Sequence, residues 1–330
     1  MAFETPHSGS TPWRIAEWAA RALGVTPAAT PRRRDRGTDL APARQRRIVR
    51  EYRQTKGRHN RVAVVVTISG GYDALILPHR PLPNADYICI TDLPQNNWGM
   101  FEVEGVGYQN ADPTRRARYV KSHLPDYLPE YDFAIWVDAN ILVTADLTPL
   151  LDTFIKSGEP MGAVYHLERR SVFEEGQACK LLRRDDPETI DRQMARYRAE
   201  GFDCDDLIDS SIFMAALCDP GFQRFTTKWA AEIESNSRRD QLSLNYAQRC
   251  AGIRWHPLFK RGTNFRNQPG FRYLEHGRTP PSDFAAPARY LGSVVDPMAS
   301  GPPRRARTQP AIAESANSTH ISMRSARPMQ

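Results

Sequence analysis

The amino-acid sequence predicts an α/β domain with a mostly parallel central sheet flanked by helices, placed between two basic tails. Between about residues 61 and 278, apolar runs of strand length alternate with segments of helical periodicity, which is typical of this class. The first run, residues 62–66, is continuous and mostly β-branched, as expected for a strand that is buried on both faces. Of the 330 residues, 40% are hydrophobic, which is enough for a sizeable core.

The predicted elements alternate regularly along this domain. Strands are predicted at residues 62–66, 86–90, 133–137, 162–165 and 211–214. Helices are predicted at residues 114–123, 146–156, 187–199, 222–234 and 240–250. The third helix has the clearest limits, because Pro187 stands at its start and Gly201 follows its end. The sequence shows no internal repeat, so a single domain over residues 61–278 is expected.

The flanking segments differ from the domain in charge and composition. They carry 19 of the 45 basic residues and 8 of the 38 acidic residues, a net charge of +11, whereas residues 61–278 carry −4. Residues 1–60 are predicted to be a largely disordered basic segment with a short amphipathic helix near residues 13–23. That helix would pack on its own domain or lie on a membrane surface. Residues 279–330, rich in Pro, Ala, Ser and Arg, are predicted to be disordered, and the basic tails could contact anionic lipid.

Charge, cysteine spacing and hydropathy argue against several classes of protein. A mildly acidic domain is unsuited to nucleic acid, whose recognition concentrates basic charge where the phosphates lie. The five cysteines include no Cys-x-x-Cys pair, which argues against a zinc cluster, and their odd number suits reduced thiols. Neither a secretory signal nor a run of 18 apolar residues is found, so we expect a cytoplasmic protein without a transmembrane segment.

The end of the third predicted strand is the most informative position. Its apolar run is broken by Asp138-Ala139-Asn140, and apolar residues resume at Ile141. Because ligands of open α/β sheets collect at the carboxyl ends of strands, these side chains are expected to face a cleft. Oxygen-bearing side chains at positions i and i+2 can both approach one Mg²⁺ or Mn²⁺ ion, which takes further oxygens from diphosphate and water. The alternative is a turn with local hydrogen bonds, but the buried strand directly before it favours the metal site.

Polar side chains also follow the first two strands. The loop after the first strand contains, in order, Thr67, Ile68, Ser69, Gly70, Gly71, Tyr72 and Asp73. The paired glycines would let the backbone adopt positive φ and approach a ligand closely, although an ordinary turn is the commoner use of such a pair. The second strand ends at Asp92, whose carboxylate could accept hydrogen bonds from a base or a ribose, or could cap a turn.

Two basic residues and an Asp-Gln pair complete the set of candidates. Arg118 and Lys121 are three residues apart on the predicted helix 114–123, so they share a face that could neutralise phosphate. A solvated basic face is the alternative. Asp240 and Gln241 begin the helix predicted at 240–250, where Asp240 is either a simple N-cap or a polar group that faces the cleft.

Together, these residues resemble the glycosyltransferase-like domain family found in bacteria and in plant proteins linked to seed-coat mucilage. The resemblance extends from about residue 61 to about residue 276, and its motifs are weak singly but strong in this order. The matching segments are Thr67-Ile68-Ser69-Gly70-Gly71-Tyr72-Asp73, Ile90-Thr91-Asp92, Asp112-Pro113 with Ala117-Arg118 and Lys121, Pro129-Glu130-Tyr131-Asp132, Ile135-Trp136-Val137-Asp138-Ala139-Asn140-Ile141, His166 with Arg169, Phe173-Glu174-Glu175, Tyr197 with Gly201-Phe202, and Arg239-Asp240-Gln241-Leu242-Ser243-Leu244-Asn245-Tyr246.

The resemblance implies a GT-A-like fold and a metal site. Asp138 and Asn140 stand where GT-A enzymes carry their Asp-x-Asp motif, although Asn140 departs from a strict second aspartate. His276 stands where such enzymes often supply a late histidine to the metal, and His256 is the competing candidate. Asp209 stands where the family usually shows a glutamate, so contacts to the acceptor are expected to differ.

The resemblance also implies how the donor would be held. Asp92 and the loop of residues 67–73 would hold the nucleoside, and Arg118 and Lys121 would face the diphosphate or the donor sugar. Asp240-Gln241 is similar to the Asp-Gln pair of retaining sugar transferases of the glycogenin kind, which lies next to the donor sugar. Glu174 and Glu175 are either acceptor contacts or part of a helical surface.

The expected function is therefore metal-dependent transfer of a sugar from a nucleotide-sugar, with a UDP-sugar favoured, to an unknown glycan, lipid or protein. Mn²⁺ or Mg²⁺ would act as the Lewis acid on the leaving group. A non-catalytic module that binds a nucleotide or glycan is the second hypothesis, although the joint presence of Asp138, Lys121 and Asp240 weighs against it. A metal-dependent lipid amidase ranks third, because neither a histidine-rich zinc motif nor a Gly-x-Ser-x-Gly motif is found.

Overall fold

A seven-stranded mixed sheet forms the centre of the structure, a computed structural model that describes residues 62–92, 99–274 and 276. The strands are β1 (Val62–Ile68), β2 (Ala85–Thr91), β3 (Phe101–Gly105), β4 (Phe133–Val137), β5 (Ile141–Val143), β6 (Met161–Tyr165), β7 (Ile208–Ala216), β8 (Trp255–Pro257) and β9 (Phe271–Tyr273). The large sheet has the order β3-β2-β1-β4-β7-β6-β8, and β5 pairs with β9 in a separate ribbon. The tails predicted at 1–60 and 279–330, with their amphipathic helix and membrane contact, lie outside the described residues.

The direction of the strands confirms the predicted α/β class with a mostly parallel sheet. Four of the six neighbouring pairs are parallel, and β7 is antiparallel to both β4 and β6. This double reversal leaves β6 and β8 running in the same direction as β4. The carboxyl ends of β1, β2, β4, β6 and β8 therefore share one edge of the sheet, which is the edge where ligands of such folds bind.

Helices cover the sheet and connect its strands. They are α1 (Pro113–Ser122), α2 (Leu124–Tyr127), α3 (Thr148–Ser157), α4 (Val172–Leu181), α5 (Pro187–Ala199), α6 (Pro220–Ser235) and α7 (Gln241–Cys250). The side chains of Asp112, Asp186 and Asp219 accept hydrogen bonds from the first turns of α1, α5 and α6, and each cap is followed by proline. All five predicted helices and all five predicted strands are present, with ends that differ by three residues at most.

The elements missing from the prediction have weak local signals. α4 contains Gly176 in its interior, which lowers helix propensity. In the structure this glycine allows close packing, because a Cβ atom there would lie 3.2 Å from Cγ of Met194 on α5. β3 has five residues, β5, β8 and β9 have three each, and α2 has four, which are too few for a periodic pattern to stand out.

Apolar clusters lie on both faces of the sheet. Alternate residues of β1 enter the two clusters, Val64 and Val66 on one face and Ala63 and Val65 on the other, as the continuous apolar run predicts. A third cluster lies among α4, α5 and α7. In the described part of the chain, no helix combines the length and the apolar character needed to cross a lipid bilayer.

Candidate active site

The turn after β4 presents the acidic side chain that the sequence singles out. The N–H of Asp138 donates to the carbonyl of Ser211 (2.8 Å), and its carbonyl accepts from Ile141 (2.9 Å), so a tight turn connects β4 to β5. Oδ1 of Asp138 accepts hydrogen bonds from the indole N–H of Trp136 (2.8 Å) and from Lys121 Nζ (3.3 Å). The side chain remains 21% exposed. The protein thus fixes one carboxylate oxygen and leaves the group open to the cleft.

The small β5–β9 ribbon brings a distant histidine to this turn. The N–H of Leu274 donates to the carbonyl of Asn140 (2.8 Å), and the Asn140 amide donates to the carbonyl of Leu274 (2.9 Å). His276 then lies with Nε2 3.4 Å from the Asn140 amide nitrogen. Its Nδ1 is 3.0 Å from Asp73 of the loop after β1. Asp73, Asn140 and His276 therefore meet beside Asp138, whereas His256 pairs with Gly162 near the far edge of the sheet.

Lys121 connects the turn to the Asp-Gln pair. Its side chain is fully buried, and Nζ lies 2.9 Å from Oδ2 of Asp240 as well as 3.3 Å from Asp138. Asp240, which is 1% exposed, also binds Nε of Arg118 (2.9 Å) and accepts from the hydroxyl of Ser210 (2.8 Å). The alternative role of Asp240 as a simple N-cap is wrong, because its side chain makes no capping hydrogen bond to α7.

The charge state of Asp240 follows from these neighbours. Burial alone would raise the pKa of this carboxyl, but Arg118, Lys121 and Arg239 outweigh burial and hold the pKa well below its usual range. Asp240 is therefore a fixed anion at neutral pH. Since it is enclosed by its cationic partners, it positions Arg118 and Lys121.

Several buried polar atoms at this edge lack a partner within the described residues. They are Nε2 of Gln241, Oγ1 of Thr67 and Oγ of Ser69. An unsatisfied buried polar group costs about 1–3 kcal/mol, so such groups are typically explained by water, a ligand or a functional role. Gln241 follows Asp240 directly, and Thr67 and Ser69 lie at the end of β1. Unsatisfied polar atoms therefore lie both beside Asp240 and at the end of β1.

The glycine loop after β1 is held against the start of α1. Gly70 and Gly71 have φ of 65° and 64°, and a Cβ atom at Gly70 would lie 2.9 Å from Cβ of Pro113. The carboxylate of Asp92 accepts the N–H of Gly70 (2.9 and 3.0 Å) and binds Arg116 (2.7 and 2.8 Å). Asp92 therefore fixes the loop, as a turn-capping aspartate would.

Tyr72 is an exposed aromatic residue beside His276. Its side chain is 59% exposed, and its ring centroid is 4.9 Å from that of His276. Tyr273 lies on another side of His276, with centroids 6.5 Å apart. Two aromatic rings thus border the histidine.

Sequence reasoning missed several residues of this network. Arg116 stands two residues before Arg118, so it lies off the helical face that the spacing of Arg118 and Lys121 selects. Ser210 lies in β7, where nothing in the sequence marks it as the partner of Asp240. Trp136 could have been suspected, because an indole N–H needs a partner when it is buried.

A second polar cluster occupies the start of α4. Glu175 is 4% exposed, binds Arg169 and accepts from the thiol of Cys179, so it is not part of an exposed helical surface. Burial, together with the charge of Arg169, lowers the pKa of His166 to about 4. His166 is therefore neutral at physiological pH. The cluster joins α4 to the loop after β6.

Residues 96–256 match the family model described as TOD1/MUCI70, glycosyltransferase-like domain. No match was found among curated proteins. Among solved structures, the chain is similar to the galactosyltransferase LgtC in complex with donor and acceptor sugar analogues, at 14% identity and a TM-score of 0.36. That similarity covers 59% of this chain and 72% of LgtC.

Two further solved structures match this chain with similarly low sequence identity and TM-score. Mouse xyloside xylosyltransferase 1 in its apo form matches at 8% identity and a TM-score of 0.36, over 59% of this chain and 84% of that one. The bifunctional glycosyltransferase WbbM matches at 16% identity and a TM-score of 0.34, over 57% of this chain. The WbbM match spans 37% of that protein, little more than a third of its length. The family match confirms the resemblance read from the motifs, because residues 96–256 match the model of the same family.

Proposed function

We propose that this domain is a metal-dependent glycosyltransferase that moves a sugar from a nucleotide-sugar, first of all a UDP-sugar, to a glycan, lipid or protein acceptor. The observation that carries the proposal is the position of Lys121. Its buried ammonium joins Asp138 on the turn after β4 to Asp240 beside Gln241. One rigid network thus holds together the two motifs that a transferase of this type would need.

The residues beside the turn fit a divalent cation that is completed by its substrate. Within the described residues, no three His, Cys, Asp or Glu side chains are arranged to hold a metal ion on their own. Asp138 and His276 would be the protein ligands, and the Asn140 amide nitrogen lies 3.4 Å from Nε2 of His276. A hard cation commonly combines one or two carboxylates with phosphate and water oxygens, so this small set is adequate. When bound, Mn²⁺ or Mg²⁺ would neutralise the charge that develops on the departing diphosphate.

The position of Asp73 supports His276 as a ligand. Metal-binding histidines commonly donate their second ring N–H to a carboxylate, which fixes the tautomer and the ring orientation. The 3.0 Å contact between Asp73 and Nδ1 of His276 provides this arrangement and leaves Nε2 directed toward Asn140.

The remaining residues would bind and orient the donor. The loop that Asp92 fixes would contact the nucleoside, with Thr67 as a free hydroxyl and Tyr72 as an exposed ring. Arg118, held by Asp240, would stabilise the diphosphate electrostatically. The unpaired Nε2 of Gln241 would donate to the donor sugar or to the departing oxygen, which would satisfy its missing hydrogen bond. Asp240 acts through its cations and is a positioning residue.

Nucleotide binding tests this proposal most directly. We expect the thermal unfolding midpoint to rise with one UDP-sugar or GDP-sugar when Mn²⁺ or Mg²⁺ is present, and not with EDTA. The same donor should release its nucleotide slowly without an acceptor. Binding without any release, even with a broad set of acceptors, would instead indicate a non-catalytic nucleotide-binding module. If no nucleotide binds, the transferase proposal is wrong.

The Asp73–His276 pair provides a separate prediction. Asp73→Asn should weaken Mn²⁺ affinity in the presence of the nucleotide by about 10–100-fold, as expected when an outer partner of a metal ligand is lost. Titration of Mn²⁺ into the nucleotide-bound protein measures this affinity. The matched control is Asp152→Asn, an exposed aspartate on α3, which should leave the affinity unchanged. Equal affinities in the wild type and Asp73→Asn would remove His276 from the metal site.

A further inference from the structure

A cavity lies at the same edge of the sheet as the candidate active site. Its volume is about 480 Å³, which suits one or two sugar rings in size. It lies at the carboxyl ends of β6 and β8, against α3. Its lining includes Leu150, Tyr165, His256, Phe259, Lys260 and Arg261.

The strand order places this cavity beside the candidate active site. In the strand order β4-β7-β6-β8, β6 is the second and β8 the third strand beyond β4, and both run parallel to β4. Neighbouring strands are about 4.8 Å apart, so β6 lies about 10 Å and β8 about 14 Å from the strand that ends at Asp138. An oligosaccharide whose end reaches Asp138 would extend toward the cavity.

The cavity combines an apolar floor with basic side chains. The ring of Tyr165 lies 4.5 Å below the guanidinium of Arg261, which also donates to the carbonyl of Asp205 (2.6 Å). Arg261 is thus held in place before any ligand binds, which lowers the entropic cost of binding. Lys260 and His256 add two more basic groups, and the lining residues include no acidic side chain.

We propose that this cavity is the acceptor subsite and that it binds an acceptor saccharide carrying a carboxylate. The inference rests on the proposed function, because it assigns the acceptor of the same reaction. The apolar and aromatic walls would contact sugar rings. Lys260 and Arg261 would form charge-assisted hydrogen bonds with the carboxylate, which are about twice as strong as those between neutral groups.

Binding of a matched pair of saccharides tests the proposal without using turnover. The probes are a tetrasaccharide of hexuronic acid and its carboxyl-reduced neutral form, titrated into the full-length protein by calorimetry. We expect the acidic form to bind at least about tenfold more tightly, and this preference to be lost in His256→Gln/Lys260→Gln. Both positions are partly or fully exposed, so the variant should fold. The control is Lys228→Gln, an exposed lysine on α6, which should keep the preference.

Each outcome is decisive. Equal binding of the two probes, no binding of either, or an unchanged preference in the double variant would overturn the proposal. The nucleotide-dependent thermal shift, measured on the same samples, reports the donor site separately. If that shift is present and the saccharide preference is absent, the acceptor assignment alone fails. If nucleotides have no effect, the proposed function fails whatever the saccharides do.

Discussion

Replacing Asp240 with asparagine is expected to lower the free energy of unfolding by about 3–5 kcal/mol, the usual cost of removing one partner from a buried ion pair. The substitution keeps the shape of the side chain but removes its charge. Lys121, which is fully buried, would then share only Asp138 as an anionic partner, and Arg118 would lose its carboxylate. Urea unfolding at pH 7, monitored by circular dichroism, measures the change.

The dependence on pH distinguishes this effect from a general packing defect. The folded state lowers the pKa of Asp240, so its contribution to stability is fully present above the unfolded pKa of about 3.9. The contribution is lost as the pH falls through the folded pKa. The difference between the wild type and Asp240→Asn should therefore shrink below about pH 4. A constant difference from pH 7 to pH 3 would argue against the charge as its cause.

A smaller change in the same network serves as the control. Ser210→Ala removes one hydrogen bond to Asp240 while both cations stay in place, so we expect a loss of about 1 kcal/mol. If Ser210→Ala and Asp240→Asn were equally destabilising, the ion pairs would contribute little. If Asp240→Asn were as stable as the wild type, the network would not have the structural role assigned to it.

Asp138→Asn is expected to reduce kcat/KM for the donor identified by nucleotide binding by at least about 100-fold, the upper end of the loss caused by removing an outer partner of a metal ligand. An amide oxygen can still accept from Trp136, so the turn after β4 should keep its shape. The lost charge should weaken metal binding, and it should also weaken the ion pair between Asp138 and Lys121. Steady-state release of nucleotide at saturating Mn²⁺ measures the effect.

Asp138→Asn should reduce activity strongly and stability only slightly. Asp138 is partly exposed and Lys121 keeps Asp240, so the free energy of unfolding should change far less than in Asp240→Asn. The metal-dependent thermal shift by nucleotide should disappear, while Asp152→Asn should retain it. Near-normal turnover in Asp138→Asn would contradict its assignment as the metal ligand.

The sequence predicted most of the fold because its strong elements have strong local patterns. The run at 62–66 alternates between two buried faces, and the helix at 187–199 has both end signals. α4 was missed because Gly176 and polar residues obscure its period, although its packing against α5 compensates for the glycine. The antiparallel direction of β7 has no local signature, since a buried strand looks alike in either direction.

The candidate site was predictable as a set of residues but not as a set of contacts. The break after Trp136-Val137 marks Asp138, because a carboxylate at the end of a buried strand has few structural uses. Helical spacing placed Arg118 and Lys121 on one face, but it could not show that Lys121 is enclosed between two carboxylates. That contact depends on how α1, β4 and α7 pack together, and no short-range pattern encodes it.

In the proposed reaction, the ammonium of Lys121 would also couple the binding of the cation to the binding of the donor. A divalent ion that approaches Asp138 alone meets a carboxylate whose charge is already shared with a cation 3.3 Å away. Phosphate oxygens would compensate for that repulsion, so each ligand should increase the affinity for the other, as the reciprocity of linked binding requires. In the proposed reaction, the donor and its cation would therefore bind as one joint ligand.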